Sequence, residues 1–227
     1  MSRRRATAGV LAVLVVASCA KQAPAQLRSG AARFSSVVRL PPPDTRGTMP
    51  LDESIARRRS TRGFSPRPLS VALIGQLLWA GQGVTSPDGK RTAPSAGGLY
   101  PIDLYVVTAA QTMHYLPDGH RVEVRTDGDH RSALGDAALG QPAVSTAPAV
   151  IVVAAVPART RTKYGSRAGT FVALEAGHVT QNILLEATER SLAAVPIGGL
   201  DPARVRRVLA LPPEDDVKYL VPVGYPS

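Results

Sequence analysis

The sequence predicts one α+β domain, and three observations carry that expectation. Helix-type and strand-type patterns alternate from Leu51 to Gly224 without an internal repeat. Val150–Val156 is a continuous apolar run bounded by prolines, suited to a buried central strand. The 20 glycines and 20 prolines among 227 residues call for many turns, which argues against a helical bundle or coiled coil. With 44% hydrophobic and 19% charged residues the chain can bury a core, so a disordered or collagen-like chain is excluded. Aromatics make up only 4%, so that core must be aliphatic.

Each element follows from local chemistry. Leu51–Arg59 reads as a short helix. Pro68-Leu69-Ser70 opens a second, with Leu73, Leu77 and Leu78 at helical spacing and Gly81 and Gly83 to end it. Leu104–Val107 is a β-type run, followed by a hairpin around Pro117-Asp118-Gly119. Phe171–Leu192 is the longest helix candidate, its apolar stripe passing through Leu174, Val179, Ile183 and Leu184. Asp201-Pro202 supplies an N-cap and a proline at the first helical position. Tyr219–Val223 reads as a last short strand.

An address and a tether precede this body. Arg3, Arg4 and Arg5 form a positive start, and the uncharged apolar run Gly9–Val16 is too short to span a bilayer but fits a secretory signal. Val16-Ala17-Ser18-Cys19 ends that run with the only cysteine of the chain and resembles the bacterial lipobox, whose cysteine takes a lipid. An uncleaved anchor or a plain signal peptide shares these features. Residues 1–18 are thus expected to be a lipoprotein-type signal peptide and 19–50 a lipidated cysteine with a flexible linker. The folded domain is expected over 51–227. The implied location is the bacterial cell envelope, membrane-anchored and facing the periplasm or exterior. A lone cysteine excludes an internal disulfide and any cysteine-based metal or iron–sulfur site. No metal is expected, and His114, His120 and His130 lack ligand spacing and read as surface.

Lys and Arg number 27 against 17 Asp and Glu, a formal charge of +10. This favours a solvated basic surface or anionic small ligands over nucleic acid, which is not expected as a partner. Three segments could carry chemistry. Arg57-Arg58-Arg59-Ser60-Thr61-Arg62-Gly63-Phe64 offers planar charged donors and hydroxyls suited to a phosphate monoester, although such a run also makes an ordinary solvated face. Ala93-Pro94-Ser95-Ala96-Gly97-Gly98-Leu99-Tyr100-Pro101 has small residues that let backbone amides approach a flat ligand, or simply make a tight turn. Val195-Pro196-Ile197-Gly198-Gly199 places a second glycine pair after an apolar stretch. Neither G-x-G-x-x-G nor G-x-x-x-x-G-K is present, which counts against a Rossmann nicotinamide site.

Taken in order with Gln76–Gly83, Lys163-Tyr164-Gly165, Leu174-Glu175-Ala176-Gly177-His178 and Gln181-Asn182, these segments resemble the FMN-dependent nitroreductase-like family. The nearer resemblance is to its SagB-type branch, which oxidises azolines in peptides. The likeness spans about Leu51 to Gly224. It implies an α+β homodimer with a central mixed sheet flanked by helices and FMN at the interface. Arg58, Arg59, Ser60 and Arg62 match the segment that grips the FMN phosphate and ribityl chain. Ser95, Ala96, Gly97 and Gly98 match the loop that the second subunit lays against the flavin. Pro196, Ile197, Gly198 and Gly199 match the segment behind the flavin ring, with the Gly198 amide facing N5.

Lys163 and Tyr164 match the pair that the azoline-oxidising branch uses for proton chemistry, although a surface lysine beside a packed tyrosine would read the same. A lysine in a cationic, partly desolvated site can serve as a base. The resemblance therefore implies an FMN-dependent oxidoreductase exchanging hydride with a small or peptide-derived substrate such as an azoline, nitro compound or quinone. The alternative is a non-catalytic envelope lipoprotein that keeps the fold as a binding module. His178, on the long helix, could reach the flavin region but is expected to be a core histidine hydrogen-bonded to backbone.

Overall fold

In the computed structural model, residues 33–227 are described. The expected signal peptide and the expected lipidation site, Cys19, lie outside them. Seven strands form one sheet: β1 (Ser36–Arg39), β2 (Ile102–Thr108), β3 (Thr112–Leu116), β4 (Arg121–Arg125), β5 (Ala149–Ala155), β6 (Ala193–Ala194) and β7 (Asp216–Gly224). Their order is β1-β4-β3-β2-β5-β7-β6. Every ladder is antiparallel. The mixed character expected of the sheet is confined to one isolated parallel bridge, between Ser60 and Ala194.

Helices cover both faces of the sheet. On one side α2 (Val71–Gln82) and α6 (Ala168–Glu189) pack on Leu104, Val106, Ile151 and Val153. On the other, α3 (Arg131–Ala137), α4 (Pro142–Thr146) and α7 (Pro202–Val208) pack on Tyr105, Val107, Val150 and Val152. Strand β5 therefore buries all seven of its residues, and alternate side chains enter different cores. Its unbroken apolar run reports two covered faces rather than a parallel direction.

Helix boundaries follow their caps. The Ser70 hydroxyl accepts from Leu73 N at 3.2 Å to open α2, and the Asp201 carboxylate accepts from Arg204 N at 3.0 Å to open α7. On α6 the buried stripe runs through Val172, Ala176, Val179 and Ile183. Leu174, expected in that stripe, is 54% exposed, and His178, expected in the core, is also exposed. Conversely His114 is buried: its Nδ1 lies 3.0 Å from Glu123 Oε2 and its ring packs against Tyr105 and Phe34, in a strand with neighbours on both edges.

The folded body begins earlier than Leu51. Strand β1 pairs Ser36–Arg39 with Arg121–Val124, Leu40 enters the core, and Asp44 exchanges two backbone hydrogen bonds with the Gln76 carboxamide. Much of the expected linker is thus strapped to the sheet edge. Its side chains in β1 are all exposed, so backbone pairing holds it and no apolar alternation announced it.

Candidate functional site

The arginine run follows α1 (Leu51–Arg57). Arg58 turns extended and ends the helix, and the chain then runs along the start of the last segment. Ser60 bridges Ala194, Thr61 N donates to Ala194 O at 3.1 Å, and Ser65 N donates to Tyr225 O at 2.9 Å. Two residues beyond Ala194 stands Pro196. Ile197 exchanges backbone hydrogen bonds with Leu220 at 2.8 and 3.0 Å and sinks its side chain into the core, while Gly198 and Gly199 stay exposed. The sheet edge therefore brings Arg58–Arg62 and Pro196–Gly199 together.

The four arginines are not equivalent. Arg57 pairs with Glu53 at 2.5 Å. Arg59 curls back and donates to Ala56 O and Arg58 O at 2.9 and 2.7 Å. Arg58 is half-buried, Arg62 is exposed, and neither has a carboxylate partner among the described residues. These two are available to an anion. Beside them lies the side-chain-free ledge of Gly198 and Gly199, on which a flat ring can rest against backbone amides. A phosphate at the arginines and a ring at the glycines fit a flavin mononucleotide.

A second cluster forms around the Ser95–Gly98 loop, a tight turn in which Gly97 and Gly98 both take φ +66°. The Ser95 hydroxyl accepts from Tyr100 N at 2.8 Å, and Gly98 N donates to Ser95 O at 3.0 Å. Against it packs α5 (Pro157–Tyr164). A Cβ placed on Gly97 would lie 2.9 Å from Tyr164 Oη and 3.1 Å from Lys163 Nζ, so a side chain there would push both groups away from the loop. The structure thus joins two segments that are far apart in sequence. Lys163 is exposed rather than desolvated, and Tyr164 is half-buried against Phe171, ring centroids 4.6 Å apart.

Beneath this loop lies a polar layer that the sequence reading did not single out. Arg159 grips Asp103 with two bonds of 2.8 Å and donates to Tyr100 O at 3.1 Å. Arg91 donates to Gln82 Oε1 at 2.9 Å and stacks over the Tyr100 ring at 4.5 Å. Glu175 on α6 is 2% exposed and faces Ser95 and Gln82, yet neither carboxyl oxygen makes a hydrogen bond of ordinary length. Burial pushes its pKa up, against the opposing pull of Ser95, Gln82, Arg91 and Arg159. An open groove of about 310 Å³ between α1, α2 and α6 is separate; none of the expected site residues lines it. Among the described residues no cluster of three or more His, Cys, Asp or Glu could hold a metal, and no helix is long and apolar enough to cross a membrane.

Comparisons with known proteins place these features. A nitroreductase-type protein of Methanocaldococcus jannaschii is 34% identical over 180 residues, covering 77% of this chain and 90% of the relative. The crystal structure of a nitroreductase-type protein from Ralstonia eutropha superposes with a TM-score of 0.77 at 33% identity, over 88% of this chain and 95% of that one. The NADPH:FMN oxidoreductase of Vibrio harveyi, solved with NAD+, shares the fold with a TM-score of 0.60 at 24% identity, over 78% of this chain and 69% of that one. Residues 55–225 match the nitroreductase family as a whole. Fold and similarity agree over nearly the whole folded body: the chain belongs to the nitroreductase family.

Proposed function

We propose that this nitroreductase-family oxidoreductase binds FMN and exchanges hydride with a small or peptide-derived substrate, such as an azoline, nitro compound or quinone. The observation that carries the reading is the Ser60–Ala194 bridge, which sets the unpaired Arg58 and Arg62 beside the Gly198-Gly199 ledge. When bound, FMN supplies the hydride chemistry. The chain's own residues do the rest. Arg58 and Arg62 hold the phosphate, with the Ser60 hydroxyl in reach, and the exposed Gly198 and Gly199 present backbone donors to the ring. Lys163 Nζ, held at Gly97 beside Tyr164 Oη, takes or returns the proton that accompanies hydride movement at substrate carbon. In the SagB-type reading that proton comes from an azoline ring; in the nitro or quinone reading it goes to substrate oxygen or nitrogen.

The two clusters would meet across a homodimer, the Ser95–Gly98 loop of one copy closing the arginine–glycine site of the other. Exposed Leu51, Ile55 and Leu174 leave apolar surface for such a contact. Attachment to the envelope through Cys19 belongs to the same reading. Nothing in the site favours a non-catalytic binding module: the arginines are unobstructed and the glycine ledge is open.

The test is reconstitution with FMN followed at the flavin absorption band. The Arg58→Ala/Arg62→Ala protein loses charge-assisted hydrogen bonds worth about 1.5–3 kcal/mol each, so FMN should bind about 100-fold more weakly or worse. Unchanged affinity in the double variant removes the arginines from the site.

A further inference from the structure

No acidic residue occurs between Asp136 and Glu175, while Arg159, Arg161, Lys163 and Arg167 all fall in that stretch. Helix α5 and the short turn after it carry these cations, of which Lys163 reaches the Ser95–Gly98 loop at Gly97. Arg159 is committed to Asp103. Arg161, Lys163 and Arg167 are exposed and make no ion pair among the described residues. The next acidic residue, Glu175, is buried and its ionisation is disfavoured, so it adds little counter-charge at the surface.

The patch also has aromatic character. The Arg167 guanidinium lies over the Phe171 ring at 4.8 Å, Lys163 Nζ lies 5.7 Å from the centre of the Tyr164 ring, and the two rings touch each other. A guanidinium resting on a ring can keep that stacking while its planar edge donates two bonds to a carboxylate or phosphate. Uncompensated cations at the mouth of a site also raise the local concentration of anions.

We propose that Arg161, Lys163 and Arg167 form a recognition patch for a negatively charged group, a carboxylate or phosphate, carried by the planar molecule that exchanges hydride at this site. The proposal rests on the flavin reading, since the patch borders the loop that would face the flavin. It narrows the substrate class from any reducible or oxidisable ring to an anionic one, and it gives the basic stretch a task beyond solubility.

The test is isothermal titration calorimetry at low salt on the purified protein and on Arg161→Gln/Arg167→Gln. Both replaced residues are exposed, so the fold should be untouched. The probes are para-nitrobenzoate, its neutral analogue para-nitrobenzyl alcohol, and NADH. The wild type should favour para-nitrobenzoate over the alcohol. The double variant should bind the nitrobenzoate about tenfold more weakly, with the alcohol little changed, and about 0.5 M salt should mimic the substitution. A selective loss for NADH instead supports the patch and assigns it to the donor's phosphates.

Equal losses for charged and neutral probes, or no loss for either anion, overturn the proposal. So does a double variant that loses only binding to phosphatidylglycerol vesicles, which would assign the patch to a membrane surface. The titrations need no turnover. Protein that proves unable to hold FMN would refute the flavin reading while leaving the comparison of probes measurable.

Discussion

Gly97→Ala is expected to lower stability and turnover by two separable routes. The backbone at Gly97 takes φ +66°, where an L side chain meets the following carbonyl at a cost of about 1–2 kcal/mol. Gly98 has the same φ, so Gly98→Ala carries the same strain. At about 2–4 °C per kcal/mol for a chain of this size, each variant should melt about 2–8 °C below wild type. The second route exists only at Gly97. Its new methyl would lie 2.9 Å from Tyr164 Oη and 3.1 Å from Lys163 Nζ, whereas a Cβ on Gly98 has nothing within 4 Å. Both contacted atoms end flexible side chains, so they yield cheaply, but they yield by moving away from the loop. A displacement of about 1 Å at groups that hold a proton can cost about 100-fold in rate. The assay is single-turnover bleaching of the flavin band by substrate, alongside thermal melting of both variants. In a Lys163→Ala background the Gly97→Ala penalty on rate should shrink, because one of the two displaced groups is gone. Equal rate losses in Gly97→Ala and Gly98→Ala, or full additivity with Lys163→Ala, would refute the contact argument.

Lys163→Ala should keep FMN and lose about 10²–10⁴ in single-turnover rate, and Tyr164→Phe should lose less; an unchanged rate takes Lys163 out of the chemistry. Glu175→Gln should stabilise the protein increasingly as pH rises. Burial raises the folded-state pKa of Glu175, so the stability its proton contributes is complete below the ordinary carboxylate range and is lost as pH climbs through the folded value. Thermal midpoints of the two proteins should therefore converge near about pH 4 and separate by about pH 8, and a pH-independent gap would contradict that sign. Cys19→Ser should move the protein out of the detergent phase on phase separation, whereas wild type lacking an acyl mass shift would dispose of the anchor.

Much of the sheet and three of its covering helices, α2, α6 and α7, were legible because each carries a local signature, whereas the short α3 and α4 were not anticipated. The apolar run of β5, the capping serine before α2 and the Asp-Pro pair before α7 each name an element without tertiary information. Strand β1 had none: its four side chains are exposed and its partner lies more than eighty residues away, so only backbone pairing defines it. Helix α5 was equally silent, since Pro157–Tyr164 buries only Thr160 and offers no apolar face to read. It is nonetheless the helix that delivers Lys163 and Tyr164 to Gly97, a contact that packing of α5 on α6 creates and spacing cannot reveal.

The arginine run shows how a composition signal differs from a site. Its charge was visible, and the Glu53–Arg57 spacing of four was enough to predict that one arginine would be neutralised across a helical turn. That Arg59 folds back on its own carbonyls, leaving Arg58 and Arg62, required coordinates. Glu175 was in principle readable. With Leu174 taken as part of the stripe on α6, position 175 falls toward solvent; with the stripe set at Val172, Ala176, Val179 and Ile183, it falls among buried residues, three after Val172 and four before Val179. The two stripes share Val179 and Ile183, and whether Leu174 or Val172 and Ala176 complete them decides whether Glu175 falls toward solvent or into the core. Its buried carboxyl lies near Gln82 and Ser95, and the Ser95 hydroxyl oxygen accepts from Tyr100 N. A helix phase chosen to keep every charge outside would have hidden Glu175, the acidic residue that α6 buries near Ser95.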